Sequence, residues 1–339
     1  MIFMKITMAH GSGGESTSAL IKDVFSKYFK NEILDRLEDS AVVEGTGKIA
    51  VTTDSFVVTP LVFPGGDIGR LAVCGTVNDL LMSGATPKYI TCGAVLEEGL
   101  DIELLDKVIA SMAETAKEAG VMVVTGDTKV IENRGAEPGL IINTSGIGFI
   151  DESKEPVGPY NLMDGDKLII TGNLGDHHAA ILGCRMGIEI NIKSDCAPLC
   201  EIVRRLQDNN IRVHAMRDVT RGGLGTVLNE FASASGCNIE LSEEAMPVDS
   251  AVKEFCGLLG LDPMYMGNEG KAVISVHKDD AEKALLLIKN AKYGDNAAII
   301  GEVIKNNGSD ADNSVVLNTK LGGKRVVGLM YGEGIPRIC

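Results

Sequence analysis

Five aspartates stand beside turns, strand ends or glycine-rich motifs of this chain: Asp39, Asp54, Asp79, Asp127 and Asp218. Any one of them could be an ordinary helix cap or turn residue. If the segment ending at Glu44 pairs with the segment starting at Lys48, Asp39 faces Thr53, and its carboxylate lies roughly 5–8 Å from that of Asp54. Two carboxylates so close repel each other unless a cation joins them. Five aspartates near a glycine-rich loop therefore favour a site for a divalent cation on a phosphate.

The glycine-rich loop is Arg221-Gly-Gly-Leu-Gly225, and a helix is predicted to begin inside it. Free backbone N–H groups at Gly222 and Gly223, together with the positive end of the helix dipole, could hold a phosphate. The sequence contains neither a Gly-x4-Gly-Lys-Ser/Thr loop nor an intact Gly-x-Gly-x-x-Gly, which excludes the two common nucleotide-binding motifs.

Two further side chains have types suited to proton and charge transfer. Glu269 lies between glycines in Met266-Gly-Asn-Glu-Gly-Lys271, where backbone can approach a ligand closely. Lys129 follows Gly126-Asp127-Thr128. A surface salt bridge or a turn would explain either residue as well, so both functional and structural roles stay open.

The chain ends on a cysteine, Cys339, in Tyr331-Gly-Glu-Gly-Ile-Pro-Arg-Ile-Cys339. The glycines allow many backbone conformations, whereas Pro336 favours an extended shape for Ile335. Nine residues in that shape span about 30 Å at ~3.3 Å per residue. The pattern indicates a reactive thiol on a mobile arm, although a frayed terminus is the common alternative.

The elements that must position these residues form two α/β halves. In the first, we predict a hairpin from residues 41–44 and 48–53, helices at 67–84 and 102–119, and strands at 88–96, 121–126 and 140–150. The order β-β-α-β-α-β-β is an α+β layer arrangement, and Asp127 is expected where strand 121–126 ends.

A stretch rich in proline, glycine and acidic residues, 152–166, is the best linker candidate. We expect an N-terminal domain over residues 1–155, a C-terminal α/β domain over 156–330 and the tail over 331–339. The second half is predicted to contain strands at 167–171, 238–241, 271–276, 297–304, 314–319 and 324–330, with helices near 178–187, 195–209, 223–236, 249–259 and 279–291.

Composition narrows the class of protein. The chain of 339 residues carries a formal charge of −15, which argues against nucleic acid or an anionic membrane as the main partner. No stretch approaches the ~20 apolar residues that cross a bilayer. The eight cysteines are not spaced like a secreted disulfide framework, so we expect a cytoplasmic protein with reduced thiols.

Motifs along nearly the whole chain resemble the HypE family of hydrogenase maturation proteins. The tail Gly334-Ile-Pro-Arg-Ile-Cys339 is specific to that family, whereas the internal motifs are shared more loosely with aminoimidazole ribotide and selenophosphate synthetases. The internal motifs are His10-Gly-Ser-Gly-Gly14, Thr53-Asp-Ser-Phe-Val57, Phe63-Pro-Gly-Gly-Asp-Ile-Gly69, Gly75-Thr-Val-Asn-Asp79 and Asp218-Val-Thr-Arg-Gly-Gly223.

The resemblance assigns roles to individual residues. It implies that Asp39, Asp79 and Asp218 hold Mg²⁺ on the phosphates of ATP, and that Asp54 and Asp127 line the same site. It also implies that Lys129 and Glu269 act on the modified tail, with Glu269 as the proton acceptor.

The resemblance further implies a reaction and partners. A carbamoyltransferase, HypF, would load a carbamoyl group on Cys339, and ATP-dependent dehydration would convert this thiocarboxamide to a thiocyanate. The cyanide would then pass to iron on a HypC–HypD scaffold for nickel–iron hydrogenase. Members of the family form homodimers through a shared β-barrel, here from the N-terminal strands.

Two other functions stay open at this point. One is another ATP-dependent enzyme of the same superfamily, although residues 10–15 lack the cysteine that selenophosphate synthetases carry. The other is a non-catalytic carrier of a group on Cys339, which would hydrolyse no ATP.

Overall fold

The described part of the fold contains two large β-sheets and a small two-stranded ribbon. The computed structural model describes residues 5–11, 15–34, 43, 45, 47–133, 135, 137–306 and 313–329. The first sheet has the strand order β1-β6-β4-β5, and a short β2–β3 ribbon stands apart from it. Only β4 and β5 run parallel; the other pairs are antiparallel. The strands are β1 (Lys48–Phe56), β2 (Val62–Phe63), β3 (Gly66–Asp67), β4 (Thr86–Glu97), β5 (Met122–Ile131) and β6 (Leu140–Ile150).

Helices cover one face of this sheet. The N-terminal segment contains α1 (Glu15–Leu20), a π-helical turn and α2 (Ser26–Phe29), followed by α3 (Ile68–Met82) and α4 (Ile102–Ala119). Helix α3 is buried along most of its length and packs on β1, β4 and β6. It begins where the Asp67 carboxylate accepts hydrogen bonds from two backbone N–H groups, and α4 ends at left-handed Gly120.

The second sheet has seven strands in the order β13-β12-β9-β11-β7-β10-β8. All its pairs are antiparallel except β12 with β9. The strands are β7 (Lys167–Ile170), β8 (Val213–Asp218), β9 (Asn238–Ser242), β10 (Ala272–Val276), β11 (Ala298–Ile304), β12 (Val315–Asn318) and β13 (Lys324–Val326). The helices of this half are α5 (Asp176–Met186), α6 (Cys200–Asp208), α7 (Gly223–Ser235), α8 (Ser250–Leu259) and α9 (Ala281–Lys289).

The two halves share one apolar core. Residues of α3 and α4 pack in the same buried cluster as Ile169, Met216 and Ile274 of the second sheet. On the other side of that sheet, α7 packs against a separate cluster with β9, β11 and β12. Because the halves share a core, side chains at their boundary have fixed positions, and the site described below lies at that boundary.

The α+β architecture and most predicted elements are confirmed. The predicted helix 195–209 begins only at Cys200, because residues 195–199 form hydrogen bonds with Asn78 and Glu269 instead, and the predicted strand 324–330 ends at Val326. Strand β5 continues to Ile131 because it pairs with β4 along its whole length, so the prediction that a strand ends at Asp127 is wrong. Strand β8, residues 213–218, was not predicted. The first strand of the predicted hairpin lies almost entirely outside the described residues, and the domain boundaries at 155 and 330 stay predictions.

Candidate functional site

A cleft of about 460 Å³ lies between the two halves of the chain. Strand β1, helix α3, strand β8 and the loop before α7 form its walls, and Glu269 enters from the segment before β10. The lining residues are Asp54, Ser55, Phe56, Val57, Gly75, Asp79, Arg217, Asp218, Thr220, Arg221, Val227, Glu230 and Glu269. Asp54, Asp79, Asp218 and Glu269, predicted from the sequence as site residues, therefore share one cleft.

Asp79 reaches the cleft from helix α3. The hydroxyl of Thr52 donates a hydrogen bond of 2.8 Å to its Oδ2 atom. Burial raises the pKa of Asp79, and the Thr52 hydrogen bond opposes that rise. One helical turn earlier is Gly75, where a Cβ would lie only 2.7 Å from the ring of Phe56. Glycine at this position thus lets β1, which carries Asp54, pack closely on the helix that carries Asp79.

Asp218 ends strand β8, opposite Ala272 of β10. Burial first, and then the nearby carboxylate of Asp79, raise its pKa to about 7. Burial and the charge of Asp79 likewise raise the pKa of Asp54. The three carboxylates repel one another, and the arginines beside them, Arg217 and Arg221, offset this repulsion only in part. A cation bound among them would relieve it.

The glycine-rich loop begins helix α7 as predicted. Gly222 and Gly223 both have left-handed backbones, with φ of 78° and 62°, a conformation that favours glycine. No side chain caps the first turn of α7. The N–H of Gly223 donates to the carbonyl of Thr220 at 3.0 Å, so the prediction that it is free for a phosphate is wrong. The N–H of Gly222 stays available to a ligand. The preceding residues Thr220 and Arg221 line the cleft. This arrangement suits an anionic group such as a phosphate.

Glu269 is partly buried, and its backbone is held on both sides. Its N–H donates to Oδ1 of Asp195 at 3.0 Å, and its carbonyl oxygen accepts from the N–H of Ala197 at 3.3 Å. Burial, and then the charges of Asp218, Asp195 and Asp54, raise its pKa well above the usual value for glutamate. A carboxylate in such surroundings is a stronger base than an exposed one, which suits proton abstraction.

The donor set also fits a hard divalent cation. Asp79 and Asp218 present carboxylate oxygens, which Mg²⁺ prefers. Within the described ranges, no three His, Cys, Asp or Glu side chains are grouped closely enough to hold a metal by themselves. The third predicted ligand, Asp39, lies outside the described residues, as does the predicted reactive thiol of Cys339.

Asp127 and Lys129 lie elsewhere in this chain. Their side chains form an exposed ion pair, with Lys129 Nζ 3.1 Å from Asp127 Oδ2 and both side chains 67% exposed. They belong to β5, at the opposite edge of the sheet from β1. Neither lines the cleft. The expectation that Asp127 lines the same site as Asp54 is therefore not met within this chain.

Sequence reasoning missed two residues that the structure brings to the site. Thr52 holds Asp79, and Asp195 holds the backbone of Glu269. A threonine just before the Thr53-Asp54 pair was a local signal for the first. Asp195 is 74 positions from Glu269 in sequence, so no local pattern identifies it.

The fold and the acidic cleft define the class: the sequence matches the N-terminal domain of AIR synthase related protein over residues 37–150 and its C-terminal domain over 163–312. Carbamoyl dehydratase HypE of Escherichia coli (strain K12) is 47% identical over 98% of this chain and 99% of its own. A crystal structure of hydrogenase maturation protein HypE in complex with ATP has a TM-score of 0.93 at 44% identity, covering 98% of this chain and 99% of that one.

The chain therefore belongs to the HypE family of hydrogenase maturation proteins, enzymes of which several curated members are named carbamoyl dehydratase HypE. A solved HypE–HypF complex also matches, with a TM-score of 0.79 and 44% identity over 92% of this chain and all of the matched chain. None of the described helices has both the length and the apolar character needed to cross a membrane.

Proposed function

We propose that this chain uses ATP to dehydrate a carbamoyl group carried on the thiol of Cys339. In the overall reaction, the carbon–oxygen bond of the thiocarboxamide breaks, its nitrogen loses two protons and a thiocyanate forms. ATP supplies the phosphoryl group that makes the departing oxygen a good leaving group, so ADP and phosphate are the other products.

The main support for this proposal is the position of residues 327–329, the last described residues before the C-terminal tail. Tyr265 donates a hydrogen bond of 2.8 Å to the carbonyl of Gly328, and Asn229 donates one of 2.9 Å to the carbonyl of Val327. Asn229 belongs to α7, the helix that begins beside the cleft. The ten residues after Leu329 can extend about 33 Å at ~3.3 Å each. The C-terminal thiol can thus reach the cleft of its own subunit.

The cleft residues then have distinct roles. Asp79 and Asp218, together with Asp39, would hold Mg²⁺, which offsets phosphate charge. Asp54 and the N–H group at Gly222 would position the nucleotide, and Gly223 would let the loop turn closely beside it. Glu269 would accept the nitrogen protons, because it lines the cleft and its pKa is raised.

A homodimer gives Asp127 and Lys129 a role. The helix-free face of the first sheet exposes apolar side chains, among them Val51, 70% exposed, and Ile49 and Ile141. Such a face marks an interaction surface. Two copies related by a two-fold axis could close their four-stranded sheets into one barrel. That closure sets β5 of one subunit beside β1 of the other, so Lys129 would serve the partner's cleft.

The remaining assignments follow from relatives. A solved HypE–HypF complex supports HypF as a partner of this chain, and we propose that it donates the carbamoyl group. Transfer of the cyanide to a HypC–HypD scaffold, for the iron of a nickel–iron hydrogenase, completes the proposal. We also propose a cytoplasmic location, because the partners and ATP would be met there.

Intact mass of the C-terminal peptide tests the proposal directly. Cyanate adds across a thiol and gives the S-carbamoyl form, so Cys339 can be loaded without a partner protein. After addition of Mg²⁺ and ATP, we expect this peptide to lose the mass of one water while phosphate is released. No mass loss, with the loaded group intact, would mean that the chain is a carrier or acts on another substrate.

A further inference from the structure

A short stretch, residues 195–199, lies between helix α3 and Glu269; we name it the bridge segment. On the α3 side, the amide of Asn78 makes two hydrogen bonds to it. Its Nδ2 donates to the carbonyl of Ala197 at 3.0 Å, and its Oδ1 accepts from the N–H of Leu199 at 2.9 Å. Asn78 is only 2% exposed and immediately precedes Asp79.

On its other side, the bridge segment holds Glu269. The N–H of Ala197 donates to the carbonyl of Glu269 at 3.3 Å, and Asp195 Oδ1 accepts from the N–H of Glu269 at 3.0 Å. A Cβ at Gly270 would collide with the carbonyl oxygen of Asp195. Only glycine therefore allows the two segments to approach this closely.

Burial of the Asp195 carboxylate is energetically unfavourable, which a purely structural role does not explain. Its side chain is 2% exposed, and its Oδ2 atom has no hydrogen-bond partner. The nearest cation is the buried ammonium of Lys271, at 3.6 Å, which itself donates to the carbonyl of Gly270. A buried carboxylate with one unsatisfied oxygen usually destabilises a fold. By accepting the N–H of Glu269, this carboxylate orients the segment that carries the base.

We propose that Asn78 and Asp195 are positioning residues that fix Glu269 relative to Asp79 across the two halves. The inference rests on the proposed function. One end of the bridge segment is tied to the helix that supplies a metal ligand, and the other end to the backbone of the base. Four hydrogen bonds thus determine where the base stands relative to the bound nucleotide. A misplacement of about 1 Å can cost ~10²-fold in rate.

The test follows dehydration of the cyanate-loaded tail in single turnover, with ATP affinity measured in parallel by calorimetry. Asp195→Ala removes the acceptor for the Glu269 N–H and should slow dehydration about 10²-fold, with ATP affinity within about threefold of the wild type. Asp195→Asn keeps an acceptor oxygen and should retain at least about a third of the wild-type rate. Asn78→Ala breaks the bridge at its other end and should also slow dehydration.

Ser194→Ala is the matched control. Ser194 is buried beside the bridge segment. Its hydroxyl contacts His177 and accepts from the N–H of Cys196 within the segment, but it takes part in none of the four hydrogen bonds that tie the segment to Asn78 and Glu269. This variant should dehydrate the tail at the wild-type rate. Equal slowing by Ser194→Ala and Asp195→Ala would indicate general loosening and overturn the inference. So would a wild-type rate in folded Asp195→Ala, or in folded Asn78→Ala if Asp195→Ala does not fold.

The two possible failures are distinguishable. If the wild-type protein does not dehydrate its loaded tail, the proposed function itself is wrong. If the wild type does so and the two positioning variants do so equally fast, only the role of the bridge segment is wrong.

Discussion

The cleft and the β5 edge of the first sheet both contain charged residues predicted for one site, yet their surroundings are opposite. In the cleft, burial raises the pKa of Asp54, Asp79 and Asp218. The charge of Asp79 raises the pKa of Asp54 and of Asp218 further. On β5, Asp127 and Lys129 pair with each other in solvent. The difference shows that a motif identifies residues for a reaction without telling which surface of the subunit carries them.

The energies of the two regions differ accordingly. An exposed ion pair contributes about 0–1 kcal/mol to stability, so nothing within the subunit requires Asp127 and Lys129. Buried carboxylates without a cation destabilise the fold. Both regions are thus poorly explained by the stability of one isolated subunit. A bound nucleotide with its metal would explain the first region, and a second subunit would explain the other.

The largest effect is expected for Glu269→Gln. The amide keeps the shape of the side chain but is a very weak base, so dehydration of the loaded tail should slow by ~10²–10⁴-fold. ATP should still bind, and Cys339 should still accept the carbamoyl group. Mass spectrometry of the C-terminal peptide against time measures the rate. Wild-type speed in this variant would make Glu269 structural and place the base elsewhere.

Local signals account for what the sequence predicted correctly. Helix α3 has an N-cap at Asp67 and a stop at Gly84, which fix its ends, and Gly75 and Asp79 then fall on it. Glu269 stood out because glycines flank it. Strand β8 escaped prediction because its residues, among them His214 and Arg217, follow no clear apolar alternation.

What the sequence could not supply depends on long-range contacts. Asp195 matters through a hydrogen bond to a residue 74 positions away. The location of Lys129 depends on the order of strands in the sheet, where β5 lies at the edge opposite β1. Neither this hydrogen bond nor the strand order produces a local or periodic pattern in the sequence.

The next largest effect on the dehydration rate is expected for Lys129, on the β5 edge of the first sheet. Lys129→Ala should slow dehydration about 10–10²-fold if its ammonium stabilises charge at the partner's cleft. Mixed dimers of Lys129→Ala with Glu269→Gln then distinguish the two geometries. A shared site leaves one cleft of each mixed dimer with both residues, so mixing the two slowed variants should give a rate above that of either variant alone.

The complementary result is equally clear. If both residues must come from one subunit, no cleft of the mixed dimer is intact, and mixing restores nothing. Glu269→Gln mixed with Cys339→Ala serves as a second control, because it asks whether the tail also crosses between subunits.

A smaller effect is expected for nucleotide binding. Asp79→Asn removes a charged oxygen ligand and should weaken binding of ATP with Mg²⁺ about tenfold, since a hydrogen bond or ligand contact to a charged group contributes ~1.5–3 kcal/mol. Binding without Mg²⁺ should change less. Asp127→Asn is the matched substitution at the edge, and calorimetric titration of both variants compares the regions. Unchanged Mg²⁺-dependent binding in Asp79→Asn would mean that the cleft does not hold the cation, whereas a comparable loss in Asp127→Asn would mean that the β5 edge joins the cleft of a partner.

The smallest effect is on stability, and its sign separates the two regions. Asp218 has a folded-state pKa raised to about 7, chiefly by burial, so ionising it in the folded protein costs free energy that the unfolded chain does not lose. Its stabilising contribution is therefore present at low pH and is lost as the pH rises from the pKa of the unfolded chain towards 7.

In metal-free protein at pH 8, Asp218→Asn should raise the free energy of unfolding by about 1 kcal/mol, whereas Asp127→Asn should change it by no more than ~0.5 kcal/mol. Urea unfolding of both variants at pH 8 and pH 5 measures this, and the gain at Asp218 should shrink at pH 5. A loss of stability in Asp218→Asn at pH 8 would show that this carboxylate stabilises the fold. The proposed difference between a destabilising carboxylate in the cleft and an edge residue with little effect on stability would then be wrong.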